Sequence, residues 1–389
     1  MRMILVLSFG GSLRCWHEHG ILAREIELYL QYLAQGAVER LYVFSYSHDD
    51  DVGLIDAPAK LLQRIRLIRP PRRLRTRLSR LLYSVNPWRL RSIRAEGVEI
   101  AKTNQVGGSW VALLLRLFGV RVFARCGYLL SRRHYKNRNY LLLLASYPLE
   151  SILYRAADLV SVTTEAAAES VRSRIGGSAE KVFVAPTYVD TELFKGDATR
   201  KTIETAVIYV GRLEPQKNVL NLVKACRIAG VPLRIIGTGS LETAVRDLAA
   251  AIGADIQMTR GVQNDEVAEF FKAYKYYVLP SLHEGLPKSL IEAMSSEMVC
   301  IGTDVPGISD LLTDGVTGFL SRGLDEGAIA ATIERARSDP SNIDIAKAAR
   351  AFVVAHHSIQ TYLDRDRAAI DRWIRPRICC WARHQEVPE

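Results

Sequence analysis

Two glutamates, Glu284 and Glu292, stand eight positions apart in the stretch "SLHEGLPKSLIEAM" (281–294). The apolar run before it predicts a strand, and Pro287 suits the first turn of a helix because it has no N–H to lose there. Glu284 is therefore predicted in a loop beside a helix N-terminus, whose free N–H groups suit an anion or hydroxyls. Considered alone, the spacing favours a structural role, in which the helix dipole stabilises Glu284 and Lys288 pairs with Glu292.

Histidines and cysteines give no sign of a metal site. The clusters "WHEHG" (16–20) and "HH" (356–357) lack matched acidic or cysteine partners at ligand spacing. The six cysteines are scattered without CxxC spacing, so we expect no disulfide framework and favour a reducing cytoplasm. The sequence therefore predicts chemistry without a metal or another cofactor.

The segment from Lys60 to Arg94, called the basic segment below, carries twelve lysines or arginines and no acid. Leucines, isoleucines, Tyr83 and Trp88 are interleaved with them. Such a pattern suits an anionic membrane surface, on which basic side chains and apolar anchors both make contact. It is also typical of a pair of solvated helices, and basic segments bind nucleic acid phosphates as well. We expect contact with an anionic membrane surface and not with nucleic acid.

The elements that position these residues follow from an alternation of apolar and amphipathic runs. With 389 residues the chain exceeds one hydrophobic core, and the alternation is typical of βαβ units and parallel sheets. We predict an α/β protein with two facing Rossmann-like, doubly wound parallel-sheet domains, 1–194 and 195–357, and an interdomain cleft. Residues 358–389 are predicted to form a helix that crosses back to the first domain, and a tail. Ligands of such sheets bind at the carboxyl ends of the strands.

Composition favours a soluble globular protein, with 48% hydrophobic and 24% charged residues. The opening run "MILVLS" (3–8) is short and ends in a glycine turn, so it is predicted to be a buried strand and not a signal peptide. No stretch has the ~20 apolar residues that a membrane-spanning helix needs. We expect a cytoplasmic protein at the inner face of the membrane.

Four motifs together resemble the retaining glycosyltransferases of family 4, which have the GT-B fold of two facing Rossmann-like domains. "HEGLPKSLIE" (283–292) resembles the family's E-x7-E signature, and "PGISDLLTDGVTGFL" (306–320) its following acidic glycine turn. "YVGRLEPQKN" (209–218) resembles a G-R-L-x-x-x-K-N segment, and "IIGTGSLE" (235–242) a glycine turn near the donor base. The resemblance spans most of the chain and is strongest over residues 205–320.

The resemblance implies that the second domain binds a nucleotide diphosphate sugar. Arg212 and Lys217 are expected to bind the diphosphate, whose roughly two negative charges need cations and N–H groups where no metal is present. The backbone amides of Ser289 and Leu290 are expected to assist them. Gly237 belongs to the turn next to the donor base.

The same resemblance assigns both glutamates to hydroxyl groups of the donor. Glu284 is expected to hold the hydroxyls of the transferred sugar and to stabilise positive charge on its ring. Glu292 is expected to accept hydrogen bonds from the ribose. A carboxylate that accepts from two hydroxyls fixes their orientation well. Glu284, Arg212 and Lys217 are thus the predicted catalytic residues.

In the first domain the match is looser. Gly10 and Gly11 follow the first strand, where glycines let a backbone approach the donor phosphate, although a plain tight turn has the same pattern. Glu25 has a counterpart in the family, and a solvated helix face explains it equally well. Residues 123–140, rich in arginine, are predicted either as cleft lining near an acceptor phosphate or as a basic surface loop. Family members carry a histidine near this strand, but His134 is not in register with it.

The sequence predicts a metal-independent, retaining glycosyltransferase. Its donor is a nucleotide diphosphate sugar, with UDP slightly preferred over GDP, and its acceptor is a saccharide, favoured as lipid-linked, in cell-surface polysaccharide or glycolipid assembly. The alternatives are a same-fold nucleotide-sugar epimerase, for which we find no convincing base and acid, and a basic adaptor that binds a membrane or nucleic acid and has a vestigial sugar site.

Overall fold

The chain forms two compact units in a computed structural model. One unit comprises Met1–Pro186 together with the chain from Leu363, and the other comprises Thr187–Tyr362. The predicted boundary lies between residues 194 and 195. The structure describes residues 1–48, 50–74, 76–127, 129–131 and 140–376.

The first unit is built on a parallel sheet that has seven strands within the described residues, in the order β3-β2-β1-β4-β5-β6-β7. The strands are β1 (Arg2–Val6), β2 (Arg40–Phe44), β3 (Ile65–Ile68), β4 (Ile100–Thr103), β5 (Arg121–Cys126), β6 (Leu159–Val162) and β7 (Val182–Val184). Most of their residues are buried apolar ones, as is usual for a parallel sheet with both faces covered.

The helices of this unit lie mainly in the connections between its strands. They are α1 (Leu13–Glu18), α2 (Leu22–Ala34), α3 (Ala59–Leu62), α4 (Arg77–Ser84), α5 (Pro87–Ala95), α6 (Trp110–Leu117), α7 (Tyr140–Ala156) and α8 (Glu165–Ile175). Short 3₁₀ turns form at Val52–Leu54 and Gly176–Lys181.

The basic segment contains an edge strand that the pattern of the sequence did not predict. β3 pairs in parallel with β2, and its Ile65 and Ile68 are buried. Between them, Arg66 points to the surface and pairs with Glu96 at 2.6 Å. An interpretation of this segment as a pair of solvated helices is therefore wrong at β3, and α5 is only partly solvated because its Leu90 and Ile93 are buried.

A buried ion pair joins the last helix, α15 (Ile359–Trp373), to the first sheet. The ammonium of Lys102 on β4 donates to Oδ2 of Asp366, which also accepts from the hydroxyl of Tyr32 at 2.7 Å. Lys102 lies 4.4 Å from the ring centroid of Phe123, and both charged side chains are fully buried. Burial lowers the pKa of Lys102, and the charge of Asp366 opposes this shift. The pair joins α15 to β4 of the first sheet.

The second unit has a parallel sheet of six strands within the described residues, in the order β10-β9-β8-β11-β12-β13. The strands are β8 (Ile203–Val210), β9 (Leu233–Ile236), β10 (Ile256–Thr259), β11 (Tyr274–Leu279), β12 (Val299–Thr303) and β13 (Phe319–Ser321). The helices are α9 (Val219–Ile228), α10 (Glu242–Ile252), α11 (Asn264–Ala273), α12 (Lys288–Ser295), α13 (Glu326–Ser338) and α14 (Asn342–His357). The prediction of two parallel α/β sheets is confirmed.

Candidate functional site

Lys217 and Glu284 meet at the carboxyl ends of two neighbouring strands. Lys217 lies in the turn after β8, Glu284 lies in the loop after β11, and these strands pair in parallel. The Lys217 ammonium donates to Oε1 of Glu284 at 2.5 Å. The side chains are only 13% and 8% exposed, so each charge depends on the other for its compensation. The structure thus brings together two of the three predicted catalytic residues.

Hydrogen bonds of Ser281 and the packing of Gly307 hold the loop that carries Glu284. Ser281 donates its hydroxyl to the same Oε1 at 2.6 Å, and within the described residues no group donates to Oε2. The carbonyl of Ser281 accepts from Thr303 at 2.6 Å. Gly307 has a φ of +87°, and a Cβ there would lie 2.3 Å from the carbonyl oxygen of Gly285. The glycine in "PGIS" is thus required because its backbone packs on the loop of Glu284.

Backbone contacts also join the Lys217 turn to the Glu284 loop. Gln216 donates its amide nitrogen Nε2 to the carbonyl of His283 at 2.7 Å. In return, the backbone N–H of Leu282 donates to the carbonyl of Gln216 at 2.8 Å. These two bonds hold the Lys217 turn and the Glu284 loop together, so the separation of the ammonium and the carboxylate does not depend on their own side chains alone.

Arg212 lies on the same turn but differs from Lys217 in its surroundings. Its side chain is exposed, and among the described residues it forms no salt bridge. Its carbonyl accepts from the buried hydroxyl of Tyr209 at 2.8 Å, which anchors the backbone. The nearby Glu214 binds Ser240 instead, and these hydrogen bonds lower the pKa of the Glu214 carboxyl. The Arg212 guanidinium is therefore available for an external anion.

The glycines of "IIGTGSLE" pack against the turn that carries Arg212. Gly237 has a φ of +150°, and a Cβ there would lie 1.9 Å from the carbonyl oxygen of Gly211. Gly239 makes a similar approach to Leu213, whose backbone N–H donates to the carbonyl of Thr238 at 2.9 Å. Close contact of two turns accounts for these glycines, and a role of Gly237 beside a donor base stays a prediction.

Helix α12 begins directly after the Glu284 loop. Pro287 provides no side-chain cap, and within the described residues the amides of Ser289 and Leu290 donate to no protein group. The hydroxyl of Tyr277 donates to Ser289 Oγ at 2.8 Å, which holds the first turn against β11. Glu292 follows on the second turn and is only 5% exposed. The turn therefore offers free N–H groups shortly after Glu284 in the sequence, whereas Glu292 is a largely enclosed carboxylate.

In the first unit, Gly10 and Gly11 form a tight turn after β1. Gly10 has a φ of +84°. The backbone N–H of Gly11 donates to the carbonyl of Ser8 at 2.7 Å, and its carbonyl accepts from Tyr46 at 3.0 Å. The turn is thus explained by its own hydrogen bonds, and contact with a donor phosphate stays a prediction.

A second ion pair in the first unit was not predicted. Arg125 at the end of β5 lies 3.3 Å from Glu25 of α2 and 3.3 Å from Asn104. The Glu25 side chain is only 12% exposed, so an interpretation as a solvated helix face is wrong. The other basic residues of the predicted lining and its histidine lie outside the described residues: Arg132, Arg133, His134, Lys136 and Arg138.

Two features of the described residues bear on the predicted independence of metal and contact with a membrane. They contain no group of three or more His, Cys, Asp or Glu side chains placed to hold a metal ion. No described helix is both long enough and apolar enough to span a membrane. Independence of metal stays a prediction.

Comparison with known proteins defines the class. The family model described as "Glycosyl transferases group 1" matches residues 190–352, and the model described as "Glycosyltransferase Family 4" matches residues 26–193. The chain belongs to these group 1, family 4 glycosyltransferases, and its two parallel-sheet units have the GT-B fold.

Among curated relatives, the chain is similar to the lipopolysaccharide 1,2-N-acetylglucosaminetransferase of Salmonella typhimurium. The two are 25% identical over 43% of this chain and 49% of the relative. It is also similar to the UDP-Gal:α-D-GlcNAc-diphosphoundecaprenol α-1,3-galactosyltransferase of Escherichia coli, with 32% identity over 36% of this chain and 41% of the relative. The chain therefore spans at most about half the length of these two relatives.

Solved structures share the fold over nearly the whole chain. The Anabaena protein HepE in complex with UDP has a TM-score of 0.72, with 16% identity over 96% of this chain and 100% of that protein. The sucrose-phosphate synthase of Thermosynechococcus elongatus has a TM-score of 0.71, with 19% identity over 96% of this chain and 99% of that protein. At these identities the likeness concerns the fold alone.

Proposed function

We propose that the protein transfers a sugar from a nucleotide diphosphate sugar to an acceptor hydroxyl and retains the anomeric configuration. The observation that carries this proposal is the Lys217–Glu284 pair at the carboxyl ends of β8 and β11, where parallel sheets bind ligands. Arg212, whose guanidinium is exposed, lies on the same turn as Lys217, and α12, with its free first amides, begins directly after the Glu284 loop. Cations and N–H donors beside a carboxylate suit a substrate with a diphosphate at one end and hydroxyls at the other.

The contacts to the donor are proposed from the resemblance to the family, with which the charges of the site agree. Arg212, Lys217 and the amides of Ser289 and Leu290 bind the diphosphate and stabilise the charge that develops as it leaves. Glu284 uses the unoccupied Oε2 to accept from sugar hydroxyls while Oε1 stays bound to Lys217 and Ser281. One carboxylate thereby couples the orientation of the sugar to the ammonium that faces the phosphate. Glu292 is assigned to the ribose.

The transfer needs no covalent nucleophile from the protein. The bond between the anomeric carbon and the diphosphate oxygen breaks, and the acceptor oxygen bonds to the same face of that carbon. The acceptor proton passes to an oxygen of the departing phosphate, so the charges balance without a protein base. Glu284 stabilises positive charge on the ring during this step, and the cations stabilise the leaving group.

UDP is the proposed nucleotide. The Anabaena HepE structures are described in complex with UDP, with UDP and glucose, and with UDP-glucose, and the Escherichia coli relative is named for UDP-Gal. The proposed acceptor is a lipid-linked saccharide, supported by relatives named for lipopolysaccharide and for a diphosphoundecaprenol-linked sugar. We further propose that the protein works at the inner face of the membrane, with the basic segment towards anionic lipid.

A nucleotide screen tests this function. Thermal denaturation of the full chain is measured with UDP, GDP or ADP, since a ligand at 100 times its Kd stabilises the folded state by about 2.7 kcal/mol. We expect UDP to raise the Tm most. A larger shift with GDP overturns the donor assignment, and no shift with any nucleotide favours the adaptor with a vestigial site. Conversion of the sugar of a UDP-sugar without an acceptor identifies an epimerase instead.

A further inference from the structure

A groove of about 1050 Å³ lies in the basic segment of the first unit. It is bounded by the connection between β3 and α4 and by α4 and α5 themselves. Four arginines line it, and no aspartate or glutamate is among its described lining residues. They are Arg69, Arg72, Arg73 and Arg89. The donor site described above lies in the other unit, so the proposed transfer does not account for this groove.

The arginines divide into two that are held by the protein and two that are not. Arg69 donates to the carbonyl of His48 at 3.0 Å and pairs with Asp50 at 3.4 Å, and Arg89 donates to the hydroxyl of Tyr83 at 2.9 Å. The side chains of Arg72 and Arg73 are exposed, and within the described residues they form no hydrogen bond or salt bridge. Two fixed cations therefore shape the site, while two others remain to bind an anion. A phosphate group is the anion that a cluster of guanidinium groups binds best.

Large apolar side chains border the same groove. Trp88 and Leu82 line it and are 78% and 60% exposed. Leu78, one turn before Leu82 on α4, is exposed as well. Exposed tryptophan and leucine beside arginine match the boundary between the headgroups and the acyl chains of a bilayer. A soluble phosphate would use the cations and leave these apolar side chains in water.

We propose that this groove binds the phosphate of an anionic phospholipid headgroup, while Trp88 and Leu82 enter the adjoining acyl layer. Charge complementarity and the apolar border of the groove both favour a phospholipid as the ligand. The proposal goes beyond attraction by the net charge of the basic segment, because it assigns binding to particular arginines. It stands independently of sugar transfer, since vesicle binding is measured without donor or acceptor.

The test compares two pairs of substitutions with equal change of charge. Arg72→Gln with Arg73→Gln removes two groove arginines, and Arg77→Gln with Arg91→Gln removes two exposed arginines of the same segment that do not line the groove. Binding to phosphatidylcholine vesicles with and without phosphatidylglycerol is measured at about 0.15 M salt, where charges beyond ~8 Å are screened. We expect the groove pair to weaken binding at least about 100-fold, since each arginine loses a charge-assisted hydrogen bond that contributes roughly tenfold or more. The control pair should lose at most about 30-fold, the effect of removing two charges near an anionic surface at roughly fivefold each.

Each alternative outcome overturns the proposal in its own way. An equal loss for the two pairs shows attraction by net charge without a site, and binding without phosphatidylglycerol shows that the headgroup is not recognised. Competition by soluble glycerol phosphate shows a site for a free phosphate ester. Tighter binding to single-stranded RNA that depends on the same arginines shows a nucleic acid surface.

A second variant tests the apolar half of the proposal. Trp88→Ala should weaken vesicle binding at least about tenfold, because a buried aromatic side chain contributes about 1.5–3 kcal/mol. Leu117→Ala, equally exposed at 78% on α6 but away from the groove, is its control and should leave binding unchanged. Unchanged binding by the Trp88 variant overturns the insertion of this side chain. Thermal denaturation of each variant verifies that the fold is intact.

Discussion

The ammonium of Lys217 and the carboxylate of Glu284 form a 2.5 Å ion pair between two loops that are 67 positions apart in the chain. Both charges are nearly buried, and the second carboxylate oxygen accepts no hydrogen bond within the described residues. Oε1 of Glu284 is therefore bound by protein groups, and Oε2 is available to a substrate. This division allows stability and activity to be separated by substitution.

Glu284→Gln should lower kcat/KM of sugar transfer by about 100- to 1000-fold, the effect of removing one preorganised electrostatic partner. The amide keeps the shape but lacks the negative charge that stabilises the sugar ring. The affinity for UDP, measured by calorimetry, should change little because the predicted contacts of Glu284 are to the sugar.

The control for this substitution is Glu269→Gln. Glu269 lies on α11 in the same unit and pairs only on the surface, with Lys272 at 2.6 Å. The Glu269→Gln variant should transfer sugar at the normal rate. A Glu284 variant that is as active as this control removes Glu284 from the reaction.

Arg212 and Lys217 share a predicted role but differ in what they do for the fold. Arg212→Gln should weaken UDP binding by roughly tenfold or more, since a charge-assisted hydrogen bond contributes about 1.5–3 kcal/mol, and should leave the Tm unchanged. Lys217→Met should weaken binding similarly and also lower the Tm, because Glu284 then loses its buried cation at a cost of about 1–3 kcal/mol. Calorimetry and thermal denaturation measure the two effects.

A double-mutant cycle tests whether the loss of stability in Lys217→Met arises from the Lys217–Glu284 ion pair. Adding Glu284→Gln to Lys217→Met should recover part of the lost stability, because the uncompensated carboxylate is then removed. Strictly additive losses in unfolding free energy would show that the two charges do not stabilise each other.

The loops and turns that carry Lys217 and Glu284 could be predicted from the sequence because their determinants are local. Short stretches of sequence determine the strand before each loop, the helix start at Pro287 and the turns at the glycines. The alternation of apolar and amphipathic runs predicts the two parallel sheets. The ion pair itself was not predicted. It depends on β8 and β11 being neighbours in the sheet, and the order of strands is not a local property.

Other contacts between residues distant in the sequence could not be predicted for the same reason. Lys102 and Asp366 are 264 positions apart, and nothing in "IAKT" distinguishes a buried lysine from a surface one. Arg125 and Glu25 are likewise joined only by the packing of α2 near β5. The strand Ile65–Ile68 was missed because its short alternation lies within a run of arginines that indicated only charge.

Gly237→Ala should unfold the second unit more easily. The added methyl group would lie 1.9 Å from the carbonyl oxygen of Gly211, so one of the two turns has to move, at a cost of about 1–3 kcal/mol or more. Denaturant unfolding measures this loss. Gly253→Ala is the matched control: its φ is +63° and nothing lies within 4 Å of the new methyl group, so only about 1 kcal/mol of backbone strain is expected. Equal losses would contradict the packing of the two turns.

The buried pair of the first unit gives a prediction about stability alone. Lys102→Met or Asp366→Asn should each lower the free energy of unfolding by about 3–5 kcal/mol, since either change leaves a buried charge without its partner. Replacing both, as Lys102→Met with Asp366→Leu, should recover most of that loss. UDP binding by the folded variants should be normal because the donor residues lie in the other unit. A double variant less stable than both single variants would contradict this account.

Lys201 gives a prediction about pH. Its ammonium donates to the carbonyls of Phe271 at 2.5 Å and Ser296 at 2.8 Å, and burial lowers its pKa from 10.5 to about 8, against the opposing charge of Glu297. Below pH 8 the lysine is charged in both the folded and the unfolded state, and the folded state bears the cost of burying that charge. Between pH 8 and 10.5 the unfolded state binds more protons, so the contribution of Lys201 to stability rises with pH.

The measurement is the difference in unfolding free energy between the natural protein and Lys201→Met, followed from neutral pH to above pH 9. Because other titrating groups are common to both proteins, their contributions cancel in this difference. The natural protein should gain on the order of 1–2 kcal/mol relative to the variant, at 1.36 kcal/mol for each pKa unit. Lys195→Met, which removes an exposed lysine of the same unit, should show no such trend. A difference that stays constant or falls with pH would mean that Lys201 keeps its proton in the folded state, with its two carbonyl partners outweighing the cost of burial.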